Sequence, residues 1–269
     1  MNVAGRALLA LVLGLGVYAL LLAWLYWRQE RLLFMPEPLP AAHRFEFGAD
    51  VTERVIEVPG ARLSALHLQL PAPKGLIFFL HGNAGSLQSW FVNADFYRRA
   101  GYDLFMLDYR GYGKSTGRIE SEAQLRADVR AAWELVAPRY AGLKRVIYGR
   151  SLGTALAAGL AAEVEPELTL LVSPYCSMGE LMRQHYPFVP AALLRYPLDT
   201  CADAARIGGA LWLLHGEQDP LIPPAHSERL RQRAPQARLL LIPGAGHNDL
   251  QNSEPYLRAV REALQATAP

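Results

Sequence analysis

The chain has 269 residues, with 27 Lys and Arg against 25 Asp and Glu, and is 51% hydrophobic and 19% charged. That composition excludes a disordered or solvating chain, and a net charge of +2 gives no footing for a nucleic-acid partner, which needs clustered positive charge. Two cysteines, Cys176 and Cys201, are too few for a disulfide scaffold and lack metal-binding spacing, so they either pair or stay free.

Taken in chain order, residues 7–27 come first: 21 residues without a charge. As a helix they reach roughly 31 Å, the thickness of a bilayer hydrocarbon core. Trp24, Tyr26 and Trp27 close the run and Arg28 and Arg31 follow, an order suited to the membrane surface. The run is longer than the apolar core of a secretory signal, and no small-x-small pair offers a cleavage point. The expectation is an anchor over 1–30 and a second unit over 31–269. The positive charges flanking the run are nearly balanced, so they assign no orientation. A Pro-rich stretch, 35–40, reads as a linker over the surface.

Beyond it the pattern alternates. Strands are expected at 54–58, 62–70, 76–80, 103–107, 145–148, 168–172, 210–214 and 238–242. Helices are expected at 87–99, 122–136, 152–163, 225–233 and 254–265. Short apolar strands separated by helices predict an α/β fold, a mostly parallel central sheet with helices on both faces. The gap between Ser173 and Ile207 breaks the rhythm. It is rich in Pro, Tyr, Leu and Met, and reads as a lid inserted over about 174–206.

The chemistry concentrates in Gly149-Arg150-Ser151-Leu152-Gly153, which lies between an apolar strand and an Ala-rich helix. A GxSxG there suits a tight strand-to-helix turn that exposes the Ser151 hydroxyl and aims the Leu152 N–H at a developing oxyanion. The bland alternative is an ordinary turn. Serine needs a base, and the base an orienting acid. Asp219 and His247 each follow a later strand, the order Ser, acid, His expected of this arrangement. Glu217 and Asp249 are rival acids, ranked lower because Asp219 stands further past its strand with Pro220 stiffening the turn. His81-Gly82-Asn83-Ala84-Gly85 offers a second oxyanion donor, Asn83 N–H first and Ala84 second. The other six histidines read as structural or solvated. Gly113-Lys114-Ser115 is no phosphate loop, because the first glycine of that pattern is replaced by Asp108.

These motifs together resemble the α/β-hydrolase superfamily and, within it, the small membrane-anchored serine-hydrolase branch of alpha/beta-hydrolase-domain lipases and acyl-protein thioesterases. The resemblance rests on HGNAG (81–85), DYRGYGKS (108–115), YGRSLG (148–153), LHGEQDPLIP (214–223) and GAGHNDL (244–250), with residues 186–200 and 31–36 similar as well. It implies Ser151 as nucleophile, Asp219 as acid and His247 as base, with Asp108 and Arg110 shaping a turn. The expected activity is hydrolysis of carboxylic esters or thioesters of small-molecule or lipid acyl substrates, with no cofactor and no metal. Met178, Leu181, Met182, Tyr186, Phe188, Leu193 and Leu194 of the lid are the expected acyl pocket, although they equally suit a plain cover for the sheet. Alternatives are a prolyl-aminopeptidase-like peptidase, with Glu180 to hold a substrate amine, an acyltransferase, and a non-catalytic membrane-anchored interaction protein. The anchor, with 24 Arg against 3 Lys, points to a bacterial inner membrane. Oligomeric state is left open.

Overall fold

The computed structural model describes residues 2–266. The first residue of the expected anchor and the last three of the expected catalytic unit lie outside them. Eight strands form one sheet: β1 (Val51–Val58), β2 (Ala61–Leu68), β3 (Gly75–Leu80), β4 (Asp103–Leu107), β5 (Lys144–Arg150), β6 (Leu168–Val172), β7 (Ala210–Gly216) and β8 (Arg238–Ile242). Their order is β8-β7-β6-β5-β3-β4-β2-β1. Only β2 runs against its neighbours β1 and β4; every other pairing is parallel.

The central strands are buried and mostly apolar because both faces are covered. Along β3, Leu76, Phe78 and Leu80 enter one core while Ile77 and Phe79 enter the other, as the two-residue period of a strand requires. The first core is closed by α3 (Glu122–Val136) and α4 (Gly153–Val164), through residues such as Leu125, Val129 and Leu156. The second is closed by α2 (Ala94–Ala100) and by α7 (Glu254–Gln265), which contributes Tyr256, Val260 and Leu264. Ser121 caps α3 by accepting the Gln124 N–H at 3.1 Å. On the edge strand β1 most side chains are exposed, and four of them, Thr52, Glu53, Arg54 and Glu57, are polar.

Three expectations change. The single helix expected over 87–99 is broken into a turn at Leu87–Trp90, a 3-10 turn at Phe91–Asn93 and α2. Leu87, Phe91, Ala94 and Tyr97 are all buried, and the spacing of three between Phe91 and Ala94 suits the tighter turn at Phe91–Asn93. The apolar N-terminal run lies inside α1 (Val3–Leu33), which continues past the expected anchor boundary at 30. The stretch expected to be a linker is bonded into the body. Met35–Pro36 pairs in parallel with Ala84–Gly85, Pro38 bridges to Gly113, and the Gly113 N–H reaches Glu37 O at 3.0 Å.

Within the lid lie α5 (Met178–His185), a 3-10 turn at Ala191–Leu193 and α6 (Thr200–Ala204). Cys176 and Cys201 form a disulfide that ties its two ends, Cα to Cα 4.8 Å. The lid runs alongside α1. Gln29, the one buried residue of that helix, donates from Nε2 to Leu193 O at 2.6 Å and accepts the Arg195 N–H at Oε1, 2.9 Å. Glu30 pairs with Arg195 at 2.6 Å and accepts the Tyr196 hydroxyl at 2.8 Å. Farther up α1, the Tyr18 hydroxyl donates to Phe188 O at 2.6 Å. Tyr18 and Gln29 are about 16 Å apart along a helix, and the lid groups they bond, at Phe188 and Leu193, are five residues apart.

Candidate active site

Ser151 follows the last residue of β5 at φ +50°, in the left-handed region that costs a non-glycine residue roughly 1–2 kcal/mol. The surroundings hold it there. Its N–H reaches Val172 O at 2.9 Å, and its carbonyl accepts from the Thr154 hydroxyl at 2.6 Å and the Thr154 N–H at 2.9 Å. The flanking glycines let α4 press onto the sheet: a Cβ on Gly149 would stand 2.6 Å from Ala157 Cβ, and one on Gly153 2.2 Å from Leu80 O. Strain at a serine between two such approaches is what a serine presented on a sharp turn requires.

The loops after β7 and β8 bring Asp219 and His247 to this turn. His247 Nε2 lies 3.1 Å from Ser151 Oγ, and His247 Nδ1 lies 2.7 Å from Asp219 Oδ2. The other carboxylate oxygen, Oδ1, accepts the N–H groups of Ile222 at 2.8 Å and Leu221 at 3.0 Å. Burial alone would raise the Asp219 pKa. Hydrogen bonds from His215, His247 and the Ile222 N–H, together with the His247 charge, outweigh it and hold the carboxyl well below the usual range. Asp219 is therefore ionised at neutral pH, and it fixes the imidazole so that Nε2 faces the serine hydroxyl.

Of the rival acids, Asp249 instead accepts the Gly246 N–H at 2.7 Å and so shapes the loop carrying His247. Glu217 is exposed. Two side chains with no role in the sequence argument act on this set. Buried His215 places Nε2 3.4 Å from Asp219 Oδ2, with its Nδ1 2.6 Å from the Ser227 hydroxyl. Buried Arg150 donates to the His247 carbonyl at 2.8 Å and lies over the Trp90 ring. Arg150 sits inside the GxSxG pentapeptide and His215 four residues before Asp219, so their positions were a signal; their partners were not.

Leu152 stands at the N-cap of α4, where its N–H points out of the helix start. Asn83 lies on the loop after β3, and its side chain does not face open space. Asn83 Oδ1 accepts the Met35 N–H at 3.1 Å and the Tyr112 hydroxyl at 3.1 Å. Trp90 Nε1 donates to Ala84 O at 2.7 Å. The loop is thus held from the α1 side and from the helix side at once. Asp108 and Arg110 form a buried turn: Asp108 Oδ1 accepts the Leu87 N–H at 3.0 Å, and Arg110 clamps Asp128 at 2.6 and 2.8 Å.

The lid residues expected to line an acyl pocket scatter. Met178 is buried in the core, and Leu181 and Leu194 pack partly against it. Leu193 offers its carbonyl to Gln29, Met182 is half-buried, and Tyr186 and Phe188 are 57% and 55% exposed. The lid touches the reactive loops through the Tyr175 hydroxyl, 3.4 Å from Leu152 O, and through His185 Nε2, 3.2 Å from Leu221 O. Glu180 pairs with Arg229 and also lies 4.0 Å from His226. Among the described residues no group of three or more His, Cys, Asp or Glu is placed to hold a metal ion.

Residues 71–197 match the family described as serine aminopeptidase, S33. An uncharacterized protein of Mycobacterium tuberculosis is 34% identical over 263 residues, 92% of this chain and 91% of that protein. Alpha/beta hydrolase domain-containing protein 17B of Xenopus laevis is 31% identical over 211 residues, 76% of this chain and 71% of that protein. Among solved structures, an esterase of Pyrococcus furiosus superposes with a TM-score of 0.70 at 19% identity, covering 87% of this chain and 97% of that one, a likeness of fold. With the strand order, the left-handed serine turn and these relatives in hand, the chain belongs to the α/β-hydrolase superfamily.

Proposed function

We propose that the chain is a membrane-anchored serine hydrolase that cleaves carboxylic esters or thioesters of lipid or other acyl substrates. The observation that carries the reading is the hydrogen-bonded series Ser151 Oγ, His247, Asp219, at 3.1 and 2.7 Å. His247 takes the Ser151 proton as Oγ attacks the carbonyl carbon. The oxyanion rests on the Leu152 and Asn83 N–H groups, and Asp219 steadies the imidazolium. Collapse expels the alcohol or thiol, which takes the proton from His247. Water, activated by the same histidine, then frees the acid and restores Ser151.

The anchor reading is supported by α1, which is long and apolar enough to cross a bilayer. It is also supported by the lid segment 186–194, which is uncharged and hydrogen-bonds to α1 as far up as Tyr18. An acyl chain in the bilayer would then reach the domain beside the lid, with Tyr186 and Phe188 the first side chains it meets. A peptidase reading draws on the matched family's description, but the lid carboxylate suited to hold a substrate amine, Glu180, is occupied by Arg229.

The discriminating experiment offers membranes carrying the full chain p-nitrophenyl esters of graded acyl length and, separately, aminoacyl p-nitroanilides. Ester turnover at least about 100-fold above anilide turnover is expected. Preferred cleavage of the anilides would overturn the ester reading.

A further inference from the structure

A cavity of about 590 Å³ opens where α1 meets the catalytic domain, away from the triad. Its walls carry five arginines against two glutamates. The charges are unequal in availability. Arg110 is committed to Asp128, Arg195 to Glu30, and Arg118 shares Glu120. Arg28 and Arg31 form no ion pair among the described residues, and both are exposed at the cavity.

The position matters as much as the charge. Arg28 directly follows the uncharged run that ends at Trp27. Arg31 lies about 4.5 Å further along the helix axis, within a headgroup layer roughly 5–7 Å thick on each side of the hydrocarbon. Trp27, Phe34 and Ile119 supply an apolar wall beside these cations. A concave site with spare guanidinium groups, an aromatic edge and an apolar wall matches a phosphodiester whose glycerol turns toward acyl chains.

We propose that this cavity binds the headgroup phosphate of one anionic phospholipid. The site selects against a zwitterionic lipid because arginine-rich walls repel the quaternary ammonium that a choline headgroup carries beside its phosphate. Binding is saturable, one lipid per chain, which separates it from the diffuse attraction of any basic segment to an acidic membrane. The proposal rests on the membrane-anchor reading.

The test uses the full chain purified in detergent, with bound lipid counted by native mass spectrometry during titration. The probes are dioctanoyl phosphatidylglycerol, dioctanoyl phosphatidylcholine and inorganic phosphate. Phosphatidylglycerol should saturate at one per chain, at least about tenfold more tightly than phosphatidylcholine, and R28Q/R31Q should lose that preference. R28K/R31K keeps the charge and should recover most of it. Unchanged preference in R28Q/R31Q, or equal retention of both lipids by the wild type, overturns the proposal. Inorganic phosphate binding as tightly as phosphatidylglycerol overturns the lipid source and assigns the site to free phosphate. Fluorophosphonate labelling of R28Q/R31Q reports that the fold is intact. Retention of the wild type in carbonate-washed membranes tests the anchor on its own, so failure of either reading is told apart.

Discussion

The triad and the seam between α1 and the lid are both held by polar contacts, but the contacts differ in kind. At the triad, side chain meets side chain at the ends of buried strands, and Asp219 alone accepts from His247 and two backbone N–H groups. At the seam, side chains of α1 mostly reach main-chain groups of the lid, as Gln29 does at Leu193 and Arg195 and Tyr18 does at Phe188. The first arrangement fixes the individual side-chain atoms that the proposed chemistry would use. The second fixes the path of the lid's main chain while leaving its side chains free to change, and it ties the lid to the segment suited to a bilayer. Between the two regions stands Asn83, whose side chain is bonded to the residue that follows α1 by two and whose backbone is the expected oxyanion donor.

That contrast can be broken most severely at Asp219. Asp219→Asn keeps the volume but loses the charge that steadies the imidazolium, and should lower kcat about 10⁴-fold with the melting temperature nearly kept. A loss under tenfold would remove the acid role. Asn83→Ala frees the loop from Met35 and Tyr112 and should lower kcat about tenfold at unchanged KM, because the oxyanion donor shifts while substrate contacts stay. A change in KM alone would mean that Asn83 binds substrate instead. At the seam, Gln29→Ala removes two hydrogen bonds to part-buried lid backbone, about 1–3 kcal/mol of local stability. Limited proteolysis within 186–194 should quicken several-fold, while fluorophosphonate labelling of Ser151 stays within about twofold. Labelling that falls in step with proteolysis would erase the distinction between the regions.

The smallest effect concerns acid. His226 lies beneath the lid, its Nδ1 accepting the Cys176 N–H at 3.2 Å, which requires an unprotonated nitrogen. Burial, helped by Arg229, lowers its pKa to about 4, and burial with Arg139 and Arg54 does the same for His67. Both stay neutral in the folded chain while their unfolded counterparts take up protons below about pH 6.5. The stability tied to them is present above that pH and is lost as pH falls toward 4. Melting should therefore drop by a few degrees between pH 7 and 5, with a shallower slope in His226→Gln. Asp219, held low, adds its own loss only below the ordinary carboxylate range.

The parallel sheet is legible in the sequence because β3, β4, β6 and β7 are buried on both faces and so read as short, mostly apolar runs. Ser151, Asp219 and His247 stand out because a reactive serine demands glycines that let a helix close on a strand, and because acid and base must follow later strands in order. The supports are less legible. Arg150 and His215 act through a carbonyl and a carboxylate that only the folded chain places beside them. The segment 35–38 looks like a linker because its prolines suppress strand patterns, yet two residues suffice to pair with Ala84–Gly85. The lid defeats periodicity because several of its contacts with α1, at Phe188, Leu193 and Arg195, run through backbone, which carries no sequence signature. The disulfide is open in the sequence for the same reason: spacing alone does not bring Cys176 and Cys201 together.

Whether Ser151 is an activated nucleophile is decided by fluorophosphonate labelling of membranes carrying the full chain, wild type beside Ser151→Ala. Covalent labelling of the wild type that vanishes in the variant, with hydrolysis falling at least about 10³-fold, is the predicted result. Equal labelling of both proteins, or none of a folded wild type, would contradict the account.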